Sequence, residues 1–134
     1  MEFEQPNEVS VWIGTFSSQG DLDRYVEEDT PDDWNGKTPF SKFASDWGFI
    51  SYDRDFQEVS YKGKALPLRE LMANVSYFDS FVTPLCTAFE KENGALPNSY
   101  ILVFNFAYDP AGSVIKMNSP VRYMGHYKYL RNRV

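Results

Sequence analysis

The chain has 134 residues, 43% of them hydrophobic and 17% aromatic, enough for one domain with a packed core and too apolar for a disordered chain. No apolar run approaches the ~20 residues that cross a bilayer, and the start, MEFEQPNEVSVW, lacks a basic segment leading into an apolar one, so neither a membrane anchor nor export is expected. The net charge of −6 is uneven: residues 1–60 carry −10 and residues 61–134 carry +4, so the first half should repel nucleic acid and anionic lipid and attract a basic protein.

In chain order, "EVSVWIGTF" (8–16) sets Val9, Val11 and Ile13 against Ser10, Trp12 and Gly14, the alternation of a strand. In the following "SSQGDLDRYVEE", Ser18 can cap a helix in which Leu22, Tyr25 and Val26 share a face; that helix should stop before Pro31. "EEDTPDDWNGKTP" (27–39) reads as a long acidic loop. A short helical turn is expected within 39–49, with Phe40, Phe43 and Trp47 inward.

"DFQEVSYKG" (55–63) reads as a second strand, and Pro67 opens a helical segment over 67–75. Residues 79–94 carry Phe81, Val82, Leu85, Cys86, Ala88 and Phe89 at helical spacing and close on Asn93-Gly94, while Pro84 limits how early that helix begins. "NSYILVFNFAYD" (98–109) is apolar on both faces and so predicts a central strand, with Tyr100, Leu102, Phe104, Phe106 and Tyr108 on one side. A short strand at 113–117 is compatible with the turn-rich connection that follows. "VRYMGHYKYL" (121–130) predicts an edge strand, with Tyr123, Tyr127 and Tyr129 on one face and Arg122, His126 and Lys128 on the other. The order predicts an α+β domain over 1–134: a single mostly antiparallel sheet of four to five strands with helices packed against it. Trp12, Phe104 and Phe106 are expected to be buried.

Candidate chemistry is sparse. His126 is the only histidine and lies mid-strand, and Cys86, the only cysteine, sits on an apolar helix stripe, so a nucleophilic triad is not expected. One cysteine also precludes an internal disulfide and fits a reducing cytoplasm. Two Cys or His residues are too few for a zinc site, the acidic loop lacks the ligand spacing of an EF-hand, and no glycine-rich phosphate loop is present. No cofactor is expected.

The densest cluster is "DWGFISYDRDFQEVSY" (46–61), where Asp53, Asp55 and Glu58 could serve a small metal-dependent hydrolase. Against that reading, Glu58 and Lys62 are four apart, the surroundings are acidic where a nuclease needs a basic groove, and Asp53 with Asp55 suits a turn that leaves Arg54 exposed. A further alternative is a non-catalytic regulatory domain that self-associates through its last strand. The reading preferred here is a protein-binding face: Glu27, Glu28, Asp29, Asp32, Asp33, Asp53 and Asp55 steer a basic partner, with Trp34 and Tyr52 as aromatic anchors.

"VSVWIGTFSSQGDLDRYVE", "FASDWGFISYDRDFQEVSY" and "SYILVFNFAYD" together resemble the immunity protein 22 family of bacterial polymorphic toxin systems, over roughly residues 9 to 129. The marks are the Val-x-Trp-Ile-Gly strand with its acidic helix, the Tyr-Asp-x-Asp-Phe-x-Glu segment and the late strand ending in Tyr-Asp. The resemblance implies a bacterial cytoplasmic protein that binds and blocks a cognate toxin domain, often a nuclease, without catalysis of its own. It transfers no residue roles.

Overall fold

The computed structural model describes residues 3–111 and 118–130. Four strands, β1 (Glu4–Gly14), β2 (Gln57–Tyr61), β3 (Ser99–Phe106) and β4 (Val121–Lys128), form an antiparallel sheet in the order β2-β3-β1-β4. Four helices, α1 (Gln19–Val26), α2 (Lys42–Trp47), α3 (Leu68–Leu71) and α4 (Val82–Glu92), complete an α+β architecture. Single 3-10 turns lie at Arg54–Phe56 and Phe78–Ser80. The expected 113–117 strand falls outside the described residues.

The two most buried strands, β3 and β1, take the centre, and both faces of the sheet are covered. On one face Trp12, Ile101 and Val103 meet Leu22, Tyr25 and Val26 of α1 and Phe43 and Trp47 of α2. On the other, Val9, Val11, Ile13, Tyr100 and Leu102 meet Leu68 and Leu71 of α3 and Phe81 and Leu85 around the start of α4. Because successive strand side chains point to opposite faces, the alternation in 9–13 sorts these residues between two cores. Trp12 is fully buried in a nest of rings, with Phe43 T-shaped at 4.8 Å and Tyr123 at 4.9 Å.

Local rules account for the helix ends. Ser18 accepts from the Asp21 amide at 3.1 Å and Ser41 from the Ala44 amide at 3.0 Å, each satisfying a first-turn donor. Gly48 closes α2 in the left-handed region (φ 76°), where a side chain would be strained. Asn93 closes α4 at φ 54°. Pro84 is tolerated as the third residue of α4, where its missing N–H would have no intrahelical acceptor. The 67–75 segment holds less helix than expected, only Leu68–Leu71.

Three strand expectations are corrected. Phe104 belongs to the second core, but Phe106 and Tyr108 lie in the first. Asn105 between them has φ 57° and Asn7 opposite has φ 64°, and the β1–β3 register breaks between Glu4 and Val9, so alternation inverts there. In β4 the register against β1 breaks between Val11 and Trp12, beside Gly125 (φ 105°). Tyr123 therefore packs on the first core while Tyr127 and Tyr129 join the second. Finally, β2 starts at Gln57 rather than Asp55, because Asp53 caps a 3-10 turn: its carboxylate accepts from the Asp55 amide and its carbonyl from the Phe56 amide, both at 3.0 Å. Arg54 is exposed between the two acids, as the turn reading expects.

Candidate partner-binding surface

Glu27, Glu28 and Asp29 follow directly on α1 with exposed side chains, and Asp32 and Asp33 are exposed further along the loop. The loop is tied down locally. Its Asp29 amide donates to the Phe40 carbonyl at 2.7 Å, and the Trp34 amide donates to the Pro31 carbonyl at 3.0 Å. The Trp34 indole N–H reaches both the carbonyl (3.0 Å) and the hydroxyl (3.1 Å) of Thr38. The ring packs partly buried against the first core, so Trp34 presents only part of its surface to solvent.

Asp53 and Asp55 are exposed on the 3-10 turn. Arg54 Nη1 donates to the carbonyl of Val26 at 2.6 Å, fastening this turn to the end of α1. A shallow depression lined by Val26, Glu27, Arg54 and Gln57 marks the junction. The fold thus brings Glu27 next to the Asp53–Asp55 turn, although 25 residues of chain separate them.

Tyr52 is corrected. Its ring is only 3% exposed, T-shaped on Phe40 at 5.0 Å and 6.0 Å from Phe106, and its hydroxyl donates to the Gln57 side chain. Burial above all pushes its pKa well above the tyrosine range. A ring held in this way belongs to the core and is not a surface anchor.

The alternative chemistry finds little geometry. Asp53 is engaged in its cap, and Glu58 Oε1 accepts from the Ser76 amide at 3.1 Å. Among the described residues no three His, Cys, Asp or Glu side chains converge as metal ligands. Cys86 is half-buried on α4, with its thiol pKa pushed up chiefly by burial, the opposite of what a nucleophile needs. His126 Nδ1 lies 2.7 Å from Glu8 Oε1 on the neighbouring strand. Arg122 pairs with Glu92, donates to the Ala95 carbonyl at 2.7 Å and sits over the Phe89 ring. Asp46, the fourth acid of the 46–61 stretch, is buried and accepts from the Tyr25 hydroxyl at 2.9 Å, a structural role that sequence alone did not reveal.

The described surface thus presents exposed acids on two adjoining segments and no assembled catalytic set. The family model described as immunity protein 22 matches residues 9–130. The chain belongs to the immunity protein 22 family. No curated protein and no solved structure matches it. The matched span runs from the middle of β1 to just past β4, so most of the sheet, the buried residues of both cores and the acidic segments belong to the immunity protein 22 region. Membership carries a general toxin-immunity role and suggests a non-enzymatic one. No helix among the described residues is long and apolar enough to cross a membrane.

Proposed function

We propose that this protein acts as one domain in the bacterial cytoplasm, binding a cognate polymorphic toxin domain and blocking its activity without chemistry of its own. The observation that carries this is the family match over residues 9–130. The charge distribution supports it: the first 60 residues carry −10, and Glu27, Glu28, Asp29, Asp32, Asp33, Asp53 and Asp55 are exposed. A nuclease is the toxin that fits best, since an enzyme acting on nucleic acid has a cationic surface that these acids complement. The acids accelerate encounter, and the open part of Trp34 adds apolar contact area beside them.

Co-expression with the toxin encoded beside its gene tests the reading. Cells carrying both should survive induction that kills cells carrying the toxin alone. Undiminished killing in the presence of the folded protein would refute it.

A further inference from the structure

Two clefts open on either side of Phe56. The first, about 250 Å³, is floored by Phe104 and Phe106 and bordered by Glu4 and Asp53. The second, about 170 Å³, lies between Phe56 and the Tyr77–Tyr129 ring pair and is bordered by Asp55 and Glu58. Phe56 and Phe104 line both, so the two form one apolar trough with a ridge. No Lys, Arg or His lines either cleft among the described residues.

The trough follows from the fold. Strand β2 begins at Gln57, opposite Val103, so β3 continues through Phe104 and Phe106 with no strand on that side among the described residues. The Asp53-capped turn carries Phe56 into this gap and leaves it 37% exposed. Tyr77 holds φ 58°, a left-handed conformation that costs a bulky residue of order 1–3 kcal/mol and persists only where surrounding structure imposes it. Its ring is 39% exposed and lies 5.2 Å from that of Tyr129.

An apolar floor between carboxylates, with no cation at hand, is complementary to a side chain with an apolar stem and a cationic head. Arginine fits best, because its planar guanidinium stacks on aromatic faces and pairs with carboxylates. Glu4 and Asp55 make no side-chain hydrogen bond or ion pair among the described residues, so both are available to such a guest. We propose that the two clefts flanking Phe56 are the anchor points of the toxin interface, each receiving an arginine side chain from a basic protein surface. This rests on the toxin-neutralising reading above, and it places the centre of contact at the start of β2 rather than in the 27–39 loop.

Binding kinetics with the toxin domain encoded beside the gene, carried as an inactive variant, test the assignment. Phe56→Ala should speed dissociation about 30-fold, and Glu4→Gln with Asp55→Asn should weaken affinity about tenfold. The second variant removes no contact that the fold uses, so it decides the matter even where Phe56→Ala loses stability. In parallel, amide NMR is followed on adding N-acetyl-arginine amide, with N-acetyl-norleucine amide as control. Shifts should concentrate at Phe56, Tyr77, Phe104 and Asn105 with the arginine compound alone. Toxin affinity within about twofold of wild type for the carboxylate variant, or arginine shifts outside the trough, would overturn the proposal. If wild-type protein ignores the toxin yet the arginine shifts fall in the trough, the toxin reading fails and the cationic specificity of the clefts stands.

Discussion

Tyr52 and Phe56 lie four positions apart in one acidic segment and have exchanged the roles their surroundings suggest. In sequence Tyr52 reads as an exposed anchor and Phe56 as an alternating strand residue; in the fold Tyr52 is buried and Phe56 stands out at 37% exposure. Between them lies the 3-10 turn capped by Asp53, whose side chain and carbonyl accept from the Asp55 and Phe56 amides and bend the chain before the strand starts. Burial itself was easier to read. Phe106, expected inside from its strand, is 2% exposed and touches the rings of Phe3, Phe49 and Tyr52. Phe106→Ala should cost roughly 3–5 kcal/mol in denaturant unfolding, and a loss below about 1 kcal/mol would mean that this ring is not in the core. Cys86→Ala and His126→Ala should each leave protection of toxin-expressing cells intact. Loss of protection in either variant while it remains folded would return that residue to candidacy as a catalytic group.

Among elements, the start of α1 and the two central strands were legible because each is set by nearby residues: Ser18 three positions before Asp21, or a run of β-branched and aromatic side chains. The face assignments in β3 and β4 were not, because period-two alternation assumes an unbroken ladder. Asn105 breaks it through a partner 98 positions away, its side-chain oxygen accepting from the Asn7 amide at 3.1 Å and from the Tyr129 hydroxyl at 2.6 Å. Asn105→Val should be costly on both counts, since a β-branched residue is strained at positive φ and two donors lose their acceptor. A destabilisation of about 2–4 kcal/mol is expected, with faster hydrogen exchange at the Asn7 amide. A stability change under about 0.5 kcal/mol would show that the register break does not depend on this side chain.

For the whole molecule, the aromatic core has a consequence at high pH. Tyr25, Tyr52 and Tyr123 hold their protons well above the usual tyrosine value, in each case chiefly through burial, and Tyr100 and Tyr127 are raised for the same reason. The folded chain therefore binds these protons more tightly than the unfolded chain does. Stability fully present below about pH 10 should be lost as pH rises beyond it, when unfolded tyrosines ionise and the buried ones resist. Tyrosinate absorbance followed alongside circular dichroism should show these rings ionising together with unfolding; five independent titrations near pH 10 in a folded chain would contradict their burial.

The charge asymmetry also acts at this scale, through fields that reach about 8 Å in physiological salt. The acidic half was legible as a count, whereas the adjacency of Glu27 to the Asp53–Asp55 turn needed the Arg54 contact to Val26 and could not be read from spacing. Stopped-flow association with the cognate toxin domain at low and physiological salt, for wild type and for Asp32→Lys with Asp33→Lys, tests whether these acids steer the toxin onto the protein. Wild-type association should slow as salt rises, and the variant should associate about tenfold more slowly, with a flatter salt dependence and a smaller change in dissociation. No complex with the wild-type protein, or an association rate indifferent to both salt and charge reversal, would contradict such steering.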